Sequence, residues 1–148
     1  YAARGQNFLR TMLRLGAERE HMRVVSDQMG APTPARWIAS ATALILARLG
    51  KPHAVRETLH LTAAGEVSWH GFAQRIFELA AEQGILSRIP QLDPIPSDQY
   101  PTRAKRPAYS RLDNARLRER FDIVLPDWGL GVQQVLQELA GSPRLPLC

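Results

Sequence analysis

At 148 residues, with 45% hydrophobic and 22% charged side chains, the chain has the size and composition of one globular domain, which excludes a disordered, fibrous or large multidomain protein. Nineteen Lys and Arg against fourteen Asp and Glu leave a net charge of +5, a balance that invites anionic partners. One cysteine, Cys148, excludes an internal disulfide and a thiolate metal cluster, and no apolar run approaches the roughly 18 residues of a membrane span, so a cytoplasmic protein is expected.

The chain opens on Tyr1 rather than Met and is expected to be a piece of a longer protein. Residues 6–20 place Phe8, Leu9, Met12, Leu13 and Leu15 at three- and four-residue intervals, which predicts an amphipathic helix. MRVVS at 22–26 predicts a short strand, and the following DQMGAPTPA is expected to be irregular because of Gly30 and two prolines. Thr33 before Pro34 is a helix-start signal, with Thr33 as the cap and one apolar face running from Trp37 to Gly50. TLHLT at 58–62 alternates like a strand. Ser68 then caps a helix carrying Trp69, Phe72, Ala73, Ile76, Phe77 and Ala80, closed by Gly84. Its aromatic residues are assigned to the core, since rings at helical spacing usually pack. From Ile85 to Tyr109 five prolines predict a long irregular stretch with a strand near Leu92–Ile95. A short helix after Asp113, a strand-like Ile123–Leu125 and a final helix from Trp128 complete an α/β or α+β arrangement whose strand order stays open.

The net charge is local. Residues 101–120 hold Arg103, Lys105, Arg106, Arg111, Arg116, Arg118 and Arg120 against Asp113 and Glu119, while the rest of the chain balances. One short basic segment suits a small anion better than a nucleic-acid groove, which needs basic residues spread over a face. The three arginines after residue 112 are equally well explained as a solvated helix.

Most catalytic patterns are absent. His21, His53, His60 and His70 lack zinc-motif spacing. In a glycine fingerprint starting at Gly129 and Gly131, position 134 is Gln134 rather than Gly. Tyr100 and Lys105 are too poorly spaced for a Tyr–Lys reductase pair, and Pro101 disfavours a helix there. Two loop constellations remain. Asp27, Gln28, Gly30, Pro32 and Thr33 leave a strand and enter a helix, presenting acceptors and an amide to sugar hydroxyls or a base edge; alternatively Asp27 and Thr33 only satisfy backbone donors. Tyr100 to Ser110 begins the basic segment, and Arg106, held extended by Pro107, suits a bidentate phosphate contact.

Five stretches in order resemble the dTDP-4-dehydrorhamnose reductase family of extended short-chain dehydrogenase/reductases: YAARGQNFLRTMLRL, VVSDQMGAPTPA, SWHGFAQRIFELA, PIPSDQYPTRAKRPAYSRLD and LPDWGLGVQQVLQEL. The resemblance is to the carboxyl-terminal half and implies an α/β fold, the end of an NAD(P)-binding Rossmann-type sheet with a smaller mixed α/β substrate domain over 1–148. It implies reduction of the C4 ketone of dTDP-4-dehydro-L-rhamnose by NADPH in cell-surface polysaccharide biosynthesis. The glycine-rich NADPH loop and the Tyr-x-x-x-Lys pair of the family are expected upstream of Tyr1, so no catalytic residue is assigned here and this chain alone is expected to be inactive. Carried over by position, Asn7 and Phe8 line the sugar-nucleotide cleft, Asp27, Gln28, Gly30 and Thr33 form a loop over the substrate, and Arg106 with Ser110 face the diphosphate.

Some members bridge two subunits through Mg²⁺ held by glutamates. One such position matches Glu138, another falls at Arg36, a cation where a ligand is needed, and a third lies upstream of Tyr1, which argues against a magnesium-bridged homodimer. The rival readings are a non-catalytic nucleotide-sugar-binding or regulatory subunit and, more distantly, a basic RNA- or DNA-associated domain. A reading frame continuing upstream of Tyr1 into a Gly-rich loop and a Tyr-x-x-x-Lys motif would select the enzyme.

Overall fold

A computed structural model describes residues 1–49, 57–100, 102, 104 and 106–141. Helix α1 (Phe8–Glu18) begins where Asn7 Oδ1 accepts the Arg10 amide at 3.2 Å, and it turns Leu9, Met12 and Leu13 inward. Strand β1 (His21–Val25) alternates exposed and buried side chains, as a half-buried strand should. It pairs in parallel with β4 (Gln91–Ile95), His21 opposite Gln91 and Val25 opposite Ile95. The intervening chain supplies the long crossover that parallel pairing needs, including α2 (Ala35–Leu49), β3 (Val67–Ser68) and α3 (Trp69–Glu82). Helices α4 (Ala115–Phe121) and α5 (Trp128–Gly141) follow.

Helices α1, α3 and α5 enclose the main core with β1: Leu9, Leu13, Phe72, Ile76, Phe77, Val132 and Leu136 are buried together. Gly16 lets α1 approach α3, because a Cβ there would stand 2.6 Å from the Phe77 ring. A smaller cluster joins Ala41 of α2 to Leu117 and Phe121 of α4 and to Ile123. Among the described residues, no helix is long and apolar enough to cross a membrane.

Several local expectations change. The segment 58–62 is not a strand: Leu59 and Leu61 pack on the smaller cluster, and Asn114 holds the Thr62 amide and carbonyl at 3.2 and 2.7 Å. Ile123–Leu125 is not a strand either. The bridge forms just beyond, Ala64 with Asp127, through Ala64 N–H to the Pro126 carbonyl at 2.9 Å. Conversely, the loop expected to be irregular contains β2 (Met29–Gly30), antiparallel to β3. Thr33 does not cap α2. Its hydroxyl accepts the Ala63 amide at 2.9 Å and donates to the Ala31 carbonyl, and the Ala35 amide bonds instead to the Tyr1 carbonyl at 2.8 Å. Cys148, Lys51, His53, Arg103 and Lys105 lie outside the described residues.

Candidate functional site

Strand β2 is the organising element. On one side it pairs with β3; on the other, the Met29 amide donates to the Ala108 carbonyl at 2.7 Å and the Ser110 amide to the Met29 carbonyl at 2.9 Å. The proline-rich stretch is thereby laid beside the loop that follows β1. Gly30 permits this approach, since an added Cβ would meet Ser110 Oγ at 3.0 Å. Ser110 Oγ itself donates to the Met29 carbonyl at 3.0 Å.

Above this junction lies a cleft of about 210 Å³. Gln28, Gly30 and Ser110 contribute its polar side, and Val67, Trp69 and Phe72 its apolar side. Gln28 lines it, and its amide makes no hydrogen bond among the described residues, which leaves donor and acceptor unspent. Two loops about eighty residues apart in sequence thus meet where the sequence placed its ligand groups.

The remaining expected site residues stand elsewhere. Phe8 lies behind the cleft, its ring centroid 4.8 Å from Trp69 and 5.3 Å from Phe72. Asn7 is absorbed by the backbone, capping α1 and donating to the Ala2 carbonyl at 2.8 Å. Asp27 accepts the Ser97 amide and hydroxyl at 3.0 Å, tying the end of β1 to the 3-10 turn Ser97–Gln99. The Ser97 amide, aided by its hydroxyl, holds the Asp27 carboxyl below its ordinary value. For Asp27 and Thr33 the backbone-satisfying alternative describes what is seen. Arg106 is exposed, four residues before Ser110, and makes no hydrogen bond or ion pair among the described residues.

Trp69 is the residue that sequence reasoning misplaced. Phe72, Ile76 and Phe77 are core as expected, but Trp69 is 40% exposed on the cleft wall. It is the first residue of α3, and a helical side chain covers the turn before its own Cα, so here the ring projects past the helix end. Its place directly after the Ser68 cap was the available signal.

A larger opening of about 380 Å³ is lined in part by residues 111–115. Much of its polar lining is already engaged. Arg111 and the Tyr109 hydroxyl both bond Glu66, which keeps the Glu66 carboxyl below its ordinary value, and Asn114 is bonded to Thr62. The smaller cleft therefore carries the ligand reading.

The residues do not fit a divalent cation at Glu138. Arg36 of α2 places its guanidinium 2.7 Å from the Glu138 carboxylate of α5, and Trp37 Nε1 donates to Gln134 at 2.9 Å beside it. No group of three His, Cys, Asp or Glu suited to a metal occurs among the described residues. Gly129 and Gly131 lie within α5 rather than in a strand-to-helix loop, and Tyr100 follows a 3-10 turn, so neither forms a dinucleotide fingerprint or a Tyr–Lys pair.

Comparison with known proteins identifies the family. The family model for the RmlD substrate binding domain matches residues 1–140. The dTDP-4-dehydrorhamnose reductase of Burkholderia thailandensis is 47% identical over 147 residues, covering 94% of this chain and 49% of the relative. That of Salmonella typhimurium is 43% identical over 140 residues, covering 94% and 46%. The chain thus spans about half the length of these curated relatives. Among solved structures, the dTDP-4-dehydrorhamnose reductase of Bacillus anthracis in complex with NADP superimposes with a TM-score of 0.77 at 31% identity, over 93% of this chain and 45% of that one.

Proposed function

Because the chain belongs to the RmlD substrate binding domain family, we propose that it is the substrate-holding part of a dTDP-4-dehydrorhamnose reductase. In this reading it comprises the end of the Rossmann-type sheet and the substrate domain. The complete enzyme reduces the C4 ketone of dTDP-4-dehydro-L-rhamnose to dTDP-L-rhamnose. NADPH is the hydride source, and this chain's residues bind and orient the sugar nucleotide.

The meeting of Gln28, Gly30 and Ser110 in one cleft carries the proposal. The Gln28 amide offers a donor and an acceptor to a base edge or a sugar hydroxyl. Arg106, exposed and unengaged just before Pro107, is the guanidinium for the diphosphate, where charge-assisted paired bonds give both strength and orientation. Asp27 and Thr33 serve by fixing the backbone around the cleft. A cytoplasmic setting and a homodimer without a metal bridge belong to the same reading, and light scattering of the purified enzyme tests the latter.

Arg106→Ala in the full-length enzyme tests the substrate-side assignment. Loss of a hydrogen-bonded charged partner is worth about 1.5–3 kcal/mol, so the nucleotide sugar should bind at least about tenfold more weakly while NADPH affinity holds. Equal loss of both ligands would overturn it.

A further inference from the structure

We propose that Glu66 is a positioning residue for the nucleotide sugar: its carboxylate clamps the 109–111 segment to the β2–β3 pair and so sets where Arg106 stands. The role rests on the diphosphate assignment of Arg106 above and adds to it a residue that touches no ligand. β2 lies between β3 and this segment, with Gly30 opposite Val67 and Met29 opposite Tyr109. Successive side chains of a strand point to opposite faces. Val67 and Ser110 line the cleft, so Glu66 and Tyr109, the residues just before them, share the face behind it. There Glu66 Oε2 accepts the Tyr109 hydroxyl at 2.5 Å and the Arg111 guanidinium at 3.3 Å.

Little else joins the segment to β2. Two backbone hydrogen bonds and the Ser110 hydroxyl reach Met29, which makes a single bridge rather than a ladder. Side-chain pairs across strands supply the stability that so short a pairing lacks, and a charged acceptor strengthens each bond. The Tyr109 hydroxyl and the Arg111 guanidinium also hold the Glu66 carboxyl low, so the acceptor is ionised at neutral pH. Arg106 precedes Tyr109 by three residues, a tether of at most about 10 Å, and the anchor at Tyr109 therefore limits where the guanidinium can be presented. The other end of the stretch is tied where Asp27 accepts the Ser97 amide and hydroxyl.

The clamp has a fixed end. Gly65, directly before Glu66, takes φ +77°, and a Cβ there would stand 2.5 Å from Asp127 Oδ2 and 3.0 Å from the Trp128 ring. Ala64 bonds the Pro126 carbonyl and the Trp128 amide at 2.9 and 3.1 Å. The turn that carries Glu66 is thus pinned to the start of α5, a helix of the main core. Glu66, Tyr109 and Arg111 are themselves exposed and belong to neither buried cluster, so the contact shapes the site without supporting the core.

The test uses full-length enzyme, with dTDP as the binding probe and dTDP-4-dehydro-L-rhamnose for kinetics. Glu66→Ala should raise the dTDP Kd and the substrate KM by roughly 2- to 12-fold, the worth of one hydrogen bond, with kcat and NADPH affinity close to wild type. Tyr109→Phe removes one hydroxyl and should reproduce part of that rise, and it decides the matter if Glu66→Ala fails to fold. A lowered Tm with an unchanged KM would make the contact purely structural and overturn the proposal. Because Glu66 acts through Arg106, the effect of Glu66→Ala should vanish in an Arg106→Ala background; a full, additive rise there would overturn the positioning role. If Arg106→Ala weakens dTDP while Glu66→Ala and Tyr109→Phe do not, the clamp fails and the diphosphate assignment stands. If Arg106→Ala binds dTDP as the wild type does, that assignment fails and the clamp with it.

Discussion

Gly30→Ala separates folding from function at the cleft. Gly30 is not among the glycines with positive φ, so alanine adopts its backbone without strain. Alanine also restricts the unfolded chain, a gain of about 0.4–1 kcal/mol. Against this, the new Cβ meets Ser110 Oγ at 3.0 Å and displaces a hydroxyl that donates to the Met29 carbonyl. Loss of such a bond costs about 0.5–1.5 kcal/mol. The two effects nearly cancel, so net stability should change by no more than about 1 kcal/mol, or a few degrees in Tm. Ligand affinity has no such compensation, because the methyl enters the cleft beside Ser110. We expect the dTDP Kd to rise about tenfold by calorimetry while the thermal melt stays within that range. Ser110→Ala together with Gly30→Ala should remove the clash, giving a measurable coupling in a double-mutant cycle. An unchanged Kd would show that the cleft does not hold the nucleotide. A stability loss beyond about 3 kcal/mol would show that the backbone pairing of 108–110, not a rotatable hydroxyl, absorbs the contact.

Phe72→Ala should cost about 3–5 kcal/mol in urea unfolding, since a ring only 2% exposed contacts four other aromatic side chains; a loss under about 1 kcal/mol would contradict a packed cluster. Neither EDTA nor millimolar Mg²⁺ should move the Tm or the solution mass, because Arg36 is paired with Glu138, whereas Arg36→Glu should make the melt Mg²⁺-responsive; a Mg²⁺-dependent rise in wild-type Tm would refute this. The Asp27 carboxyl, held low chiefly by the Ser97 amide, should keep its bonds above the ordinary aspartate pKa and lose them as pH falls through the depressed folded value. The Ser97 amide shift should therefore titrate below the ordinary value and stop titrating in Asp27→Asn; a midpoint at or above that value would contradict the assignment.

The long amphipathic elements were legible because a repeating apolar face needs only local periodicity: α1, α2, α3 and α5 fall where Phe8, Trp37, Trp69 and Trp128 begin their stripes. β1 was legible from its alternation of exposed and buried positions. What sequence could not supply is pairing. Met29 and Gly30 look like loop residues, and they become a strand only because Val67–Ser68 and the 108–110 segment come to them from distant parts of the chain. TLHLT has the alternation of a strand but no partner of that kind, so Leu59 and Leu61 are used for packing alone. The candidate site shows the same division. Residue types pointed to Gln28, Gly30 and Ser110, yet only tertiary contacts distinguish them from Asp27, Thr33 and Asn7, whose polar groups are taken up by backbone.

The localised charge is sharpened by the same contacts. Arg111 is paired with Glu66, and Arg120 with Glu57 while its guanidinium lies 5.6 Å from the Phe121 ring centroid. Arg116 and Arg118 are exposed on α4, the solvated-helix alternative. Arg106 is different: it precedes the segment that β2 recruits, and no acidic side chain among the described residues engages it. A nucleic-acid surface would need many such unengaged cations spread over one face. An exposed, unengaged guanidinium just before the segment that β2 recruits suits instead a short anionic bridge of a small ligand.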